Sequence, residues 1–301
     1  MKTNLLNVLS EPELEKLVSR ALKLFEQGLC CPVMCQAPRG SRPCGAPEEG
    51  IKVASFAIHD GEEPPVSGWN GAGNIFFSGC SAKCLFCQNW PISHNNNGKI
   101  YNSGEFSEKI KKLIDKKVHN INFVTGDHFL GKVIESLWKV REAVNLPLIY
   151  NCSGCHNHEL FEILLKTMDI FLFDVKYCDN TLSSKYSNIQ NYTEYNLKCL
   201  EMLLEADIPW IEDDLGLLKR GVIIRHLVLP DHIDNSLQVI ELLNDFKKRG
   251  LNFKLSLMSQ YFPAHKALDI EVLNTKVASA QYRKIAEAVE FYEIEGWTQS
   301  L

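Results

Sequence analysis

Apolar residues follow two rhythms along most of this chain. Short, near-continuous apolar runs occupy residues 74–78, 121–125, 146–151, 169–176, 221–229 and 253–258. Between them, residues 107–118, 131–144, 158–167, 191–206 and 235–249 repeat their apolar positions every three or four residues, the period of a helix face. After the last run, residues 277–292 do the same, with Val277, Tyr282, Ile285, Ala288, Val289 and Tyr292 forming the stripe. Strands that are apolar on both faces belong to a parallel sheet covered by helices. The alternation predicts an α/β fold, a partial (β/α)6 barrel with helix 277–292 closing it.

The first 72 residues keep a different pattern. Residues 11–27 predict an amphipathic helix with Ser10 as N-cap, Glu11 and Glu13 in the first turn, and Leu14, Leu17, Ala21, Leu22 and Phe25 on the buried stripe. A loop rich in Cys, Pro, Gly and Arg follows. Residues 51–73 carry enough glycine and proline to read as turns rather than an element. His59, Glu62 and Glu63 in it either face a site or sit in solvent. The expected division is an N-terminal extension, 1–72, packed on a barrel, 73–301.

Composition narrows the class. The chain has 301 residues, 45% of them hydrophobic, and a formal net charge of -5, which gives no overall basic footprint for nucleic acid. Residues 1–10 show no secretion signal, and no apolar run approaches a membrane span, so the expected location is the cytoplasm. Eleven cysteines in such a chain favour metal or redox chemistry over disulfides.

Three of those cysteines, Cys80, Cys84 and Cys87, share the loop after the 74–78 strand at C-x3-C-x2-C spacing. Thiolates suit iron–sulfur sites, and three of them can each hold one iron of a [4Fe–4S] cube. A structural zinc site would normally close with four ligands, so an open trio points to chemistry. Cys30, Cys31, Cys35 and Cys44 form a second group of irregular spacing. Cys31, Cys35 and Cys44 are candidates for a second metal, or they are free thiols. Ligands of parallel barrels sit at the carboxyl ends of the strands. There the sequence places Asp127, Asn151, Ser153, Cys155, Asp174, Lys176, Arg225 and Gln260. Asp174 and Lys176, two apart on a strand, share a face. Burying either charge alone is costly, so they pair or meet a ligand.

The cysteine loop resembles that of the radical S-adenosylmethionine (SAM) superfamily. More narrowly, His59–Pro64, Gly73–Ser93, Phe173–Tyr177, Lys219–Pro230 and Met258–Pro263 are similar to proteins related to the pyruvate formate-lyase activating enzyme. The resemblance implies a partial radical SAM barrel and an oxidoreductase. Cys80, Cys84 and Cys87 would hold a [4Fe–4S] cluster whose open iron chelates SAM, Phe86 would pack on the adenine, and Asn151, Ser153, Asp174, Lys176, Arg225 and Gln260 would shape the SAM site. Reductive cleavage of SAM would give a 5′-deoxyadenosyl radical that takes hydrogen from a substrate, with Asp174 and Cys155 as candidate catalytic residues, Cys155 as a hydrogen-atom donor. The reductant would be a flavodoxin or ferredoxin, and the substrate a small molecule or, as in glycyl-radical activation, a partner protein. A non-catalytic metal-binding or redox-sensing barrel is the alternative. The chain departs from the group at Thr125-Gly126-Asp127-His128, Asn151-Cys152-Ser153-Gly154-Cys155 and His265, where substrate would bind.

Overall fold

In a computed structural model of the chain, residues 4–31, 33, 35–38 and 40–299 are described, and Pro32 and Met34 of the second cysteine group lie outside them. In chain order the strands are β1 (Ile51–His59), β2 (Ala72–Phe77), β3 (Lys99–Tyr101), β4 (Ile121–Val124), β5 (Leu148–Cys152), β6 (Ile170–Asp174), β7 (Ile211–Glu212), β8 (Leu218–Leu227), β9 (Lys254–Met258) and β10 (Gly296–Thr298). The helices are α1 (Glu11–Gln27), α2 (Pro64–Ser67), α3 (Trp90–Ser93), α4 (Ser103–Ile114), α5 (Leu130–Val140), α6 (His158–Thr167), α7 (Asn180–Ser187), α8 (Tyr192–Ala206), α9 (Ile233–Lys248) and α10 (Ser279–Phe291).

The sheet order is β3-β1-β2-β4-β5-β6-β8-β9-β10. From β2 to β10 every neighbouring pair is parallel, whereas β1 runs antiparallel to β2 and β3. The six expected strands are therefore β2, β4, β5, β6, β8 and β9, wound as an open, partial barrel. Residues 51–59 correct the turn reading. Val53 and Phe56 face Phe77 and Ile75 across the β1–β2 pair, so the segment forms a strand that extends the sheet. The helix expected at 107–118 starts earlier, because Asn102 and Glu105 cap it reciprocally.

Side chains alternate across the strands and split the interior in two. Val66, Ala72, Ile149, Ile170, Leu172, Leu218 and Ile223 form one apolar cluster, while Tyr150, Phe171, Phe173, Val222 and Ile224 point the other way, into the larger core under the helices. Asn74, Asn122, Asn151, Asp174 and Arg225 keep register with the smaller set and give the lumen its polar upper part.

Helix α1 packs across α5. Its capping box, Ser10 with Glu13, fixes its start, and Trp138 and Arg141 both bond to Glu11. The approach is closest at Gly131, where an added Cβ would lie 2.5 Å from the Ala21 carbonyl oxygen. Backbone cannot yield there as a flexible side chain would. Gly131→Ala should therefore destabilise the protein by about 1–3 kcal/mol in urea unfolding, by prising α1 from α5, with little change in the sheet.

Candidate functional site

The cysteine loop leaves β2 at the carboxyl rim. Gly79 turns it with φ of +81°, and a Cβ there would fall 1.9 Å from the Cys44 carbonyl oxygen, so the N-terminal cysteine segment packs directly on this turn. Ser78 N donates to Lys52 O, Gly79 N to Ile92 O, Lys83 N to Ser187 O and Leu85 N to Tyr186 O, and Leu85 O accepts from Ala267 N. The loop is thus held by β1, α3, α7 and the turn at His265–Asp269. Burial raises the Cys80 and Cys84 thiols; Cys84 and Cys87 add to the effect at Cys80, while Lys176 and Ser187 oppose it at Cys84. Cys84 Sγ lies 3.0 Å from Ser187 Oγ and Cys87 Sγ 3.1 Å from Ser93 Oγ. Among the described residues no three His, Cys, Asp or Glu side chains converge on a single ion. Three thiols on one short loop, two of them beside hydroxyls that can support a thiolate, suit the protein-held irons of an iron–sulfur cube.

Beside them stands the Asp174–Lys176 pair, the Lys176 ammonium bonded to Asp174 Oδ2. Burial works against that ammonium, but Asp174 and the thiols of Cys84 and Cys80 hold its pKa above the usual value. The backbone of this strand end is pinned from several sides. Tyr192 Oη meets Asp174 O at 3.1 Å and Lys176 N at 3.0 Å. Asn196 donates to Asp174 O at 3.1 Å, and Asn235 to Lys176 O at 3.0 Å. His226 Nδ1 meets Val175 O at 2.7 Å, and a carbonyl only accepts, so Nδ1 carries the proton and Nε2 accepts from Ser236 Oγ at 2.8 Å. Sequence reasoning missed Tyr192, Asn196 and Asn235. An asparagine inside a helix-period segment, one turn after a tyrosine, was the available signal, and the structure buries both almost fully.

Arg225 does not stand free for a ligand carboxylate. Its guanidinium bonds to Glu62 and Glu63, and its Nη1 lies 3.2 Å from Asn151 Oδ1. The side chains of Arg225, Glu62 and Glu63 are 11%, 8% and 6% exposed. Glu62 also accepts from Asn74 at 2.7 Å and Asn122 at 3.1 Å. Burial pushes against the Glu63 carboxylate, yet Arg225 holds its pKa below the usual value. The two glutamates therefore enter the lumen, while His59 stays exposed on the edge of Phe76.

Other expected residues fall elsewhere. Cys155 is fully buried in the large core, where burial raises its thiol pKa, with Cys199 adding to the effect. A candidate hydrogen-atom donor on the sequence, it stands just past the end of β5 and packs among apolar side chains. Asp127 is buried too, with Oδ1 3.1 Å from His156 Nδ1. Phe86 packs edge-on against Tyr261, with ring centroids 6.1 Å apart. Ser153 offers its carbonyl to Tyr192, and Gln260 is exposed beside Gln299. Cys31 and Cys44 are buried and Cys35 is half-buried.

A parallel partial barrel with a three-cysteine loop on its carboxyl rim is the architecture of SAM-dependent radical chemistry. The model of the Radical SAM superfamily matches residues 74–243, more than half of the chain, and this protein belongs to that superfamily. An uncharacterised protein of Methanocaldococcus jannaschii is 31% identical over 232 residues, covering 73% of this chain, which spans 62% of that relative. A radical SAM methyltransferase from Sphaerobacter thermophilus shares the fold at TM-score 0.52 and 11% identity, over 97% of this chain and 93% of that one. SuiB of Streptococcus suis, solved with S-adenosylmethionine bound, shares it at TM-score 0.50 and 13% identity, over 74% and 48%. The superfamily's resident groups are a [4Fe–4S] cluster and SAM. No helix of the described residues is long and apolar enough to cross a membrane.

Burial lowers the His226 pKa from 6.5 to about 4, although its bond to Val175 opposes the shift. The folded state keeps the ring neutral, so its stabilisation is complete above pH 6.5 and is lost as pH falls towards 4. On the order of 2–3 kcal/mol should disappear over that window. His226→Gln should flatten this part of the pH–stability curve in urea titrations, with wild type as the reference.

Proposed function

We propose that this protein is an enzyme that reductively cleaves SAM at a [4Fe–4S] cluster held by Cys80, Cys84 and Cys87 and directs the resulting radical at a substrate in the lumen. One observation carries the reading: the three-cysteine loop leaves β2 at the same carboxyl rim where β6 presents the half-buried, mutually bonded Asp174–Lys176 pair. Bound there, the cluster supplies an electron to the sulfonium of SAM and an open iron for its amino and carboxylate groups.

The chain's own residues bind and orient. Lys176, kept charged by Asp174, offers an ammonium to the SAM carboxylate, and Asp174 offers acceptor oxygens to its amino group. Asn151, held by Arg225, and the backbone of Ser153 line the side towards the ribose. Phe86 supplies an apolar wall for the adenine. Arg225 acts through Asn151 and the two glutamates, because its donors are already engaged. Glu62 and Glu63 neutralise Arg225 inside the lumen. Cys155 is left out of the catalytic set. The likeness of Phe173–Tyr177 and Met258–Pro263 to the group related to the pyruvate formate-lyase activating enzyme supports placing the protein in that group. A low-potential carrier such as flavodoxin or ferredoxin is its reductant. Cys44 lays its carbonyl against the Gly79 turn, and Cys31, Cys35 and Cys44 are either the ligands of a second metal or free thiols.

Cys84→Ala should abolish both the iron–sulfur absorbance of anaerobically reconstituted protein and the formation of 5′-deoxyadenosine, while circular dichroism keeps the wild-type fold. Full turnover by that variant would remove the assignment. Lys176→Ala should load iron normally but raise the KM for SAM by roughly 10- to 100-fold, the loss of about 1.5–3 kcal/mol expected for a charge-assisted bond. An unchanged KM would remove Lys176 from the SAM site.

A further inference from the structure

The outer side of the cysteine loop carries a feature that SAM chemistry does not use. A cavity of about 460 Å³ opens there, lined by Lys83, Leu85, His94, Lys185, Asn188 and Lys266. Its floor is the loop itself, for Leu85 sits between Cys84 and Phe86. Its walls are α7 and the turn at His265–Asp269, each tied to Leu85 by a backbone hydrogen bond, 2.8 Å to Tyr186 O and 3.0 Å from Ala267 N.

Three separate segments thus bring three lysines to one place. Lys83 donates to the Ser93 carbonyl at 3.1 Å, and Lys185 lies over the Tyr186 ring. Among the described residues none of the three forms an ion pair. Burial, His265 and the neighbouring Lys83 and Lys266 all keep His94 uncharged. An unneutralised basic patch stands out on a chain whose net charge is -5. Beside Lys266, Phe262 and Leu268 are 46% and 54% exposed, which adds apolar contact to the charge. Under this edge the Trp90 ring stacks on His265 at 5.5 Å between centroids, and His94 meets His265 at a tilt, 4.4 Å away.

We propose that this face docks a small acidic one-electron carrier protein, which passes its electron into the cysteine loop at Leu85. The proposal rests on the function inferred above. SAM and substrate occupy the lumen, so the electron must enter from another side. Electron transfer falls steeply with distance, and Leu85 adjoins a cluster ligand. The acidic remainder of the surface repels an acidic carrier, while the patch attracts it, so charge both steers and orients the encounter. One electron leaves the carrier's reduced flavin and one enters the metal site; no atom or proton is exchanged.

The test uses the full chain, reconstituted, with the double variant Lys185→Glu/Lys266→Glu, which touches neither the cysteines nor the lumen. SAM cleavage is measured with reduced flavodoxin and separately with dithionite. Flavodoxin binding is titrated by calorimetry at low and high salt, on loaded and on unreconstituted protein. The expected result is a flavodoxin-supported rate lowered about tenfold or more, through KM, with the dithionite rate unchanged. Binding should weaken in the variant, and in wild type at high salt. Unchanged flavodoxin kinetics and binding overturn the proposal. Equal losses with both reductants overturn it too, since the patch then serves SAM or substrate. If wild type cleaves no SAM with either reductant, the preceding functional reading fails, and the titration alone decides docking: binding lost on charge reversal supports it, and no binding overturns it.

Discussion

A guanidinium and two carboxylates cannot enter a protein interior unless they meet. That constraint organises this molecule around Arg225. Its partners Glu62 and Glu63 come from the far side of the barrel, after a strand antiparallel to the one that leads into the cysteine loop. Breaking such a buried pair by removing one partner typically costs about 3–5 kcal/mol, so β1, the Glu62–Glu63 segment and β8 hold a common arrangement. Asn74, Asn122 and Asn151 take up the remaining polar capacity, and the network leaves one negative charge in excess. The loop that carries Cys80, Cys84 and Cys87 starts from a rim fixed by this network.

The same logic explains why Asp174 and Lys176 are placed so firmly. Charge alone would let them pair in many geometries. Tyr192 and Asn196 of α8, Asn235 of α9 and His226 of β8 bind the backbone on which they stand. The side chains are thus positioned by a supporting shell, which a binding site needs if its geometry is to persist without ligand. Electrostatics then link this pair to the cysteines, since the Lys176 ammonium and a thiolate at Cys84 favour one another.

Much of the fold was legible in the residues. The runs at 121–125 and 253–258 are apolar on both faces, a pattern with few solutions other than a covered parallel sheet. Residues 51–59 were not legible as a strand. Lys52, Ser55 and His59 dilute their alternation and dense glycine follows them, and only the pairing with β2 gives them a reason to extend. The site divided in the same manner. The cysteine trio and the Asp174–Lys176 spacing could be read directly. The partners of Arg225 could not, being 162 and 163 residues away. Cys155 looked available because it follows a strand, but the turn at Gly154 sends it into the core.

By itself, the sequence determined which residues repeat with which period, where the chain turns at glycine, and that three thiols share one short loop. These depend on local sterics and on spacings of a few residues. Only the tertiary structure decided which charges neutralise one another, which thiols lose water, and that Lys83, Lys185 and Lys266 gather at one cavity beside the cysteines. Desolvation and Coulomb interactions act between groups that meet in space, and no local pattern records those meetings.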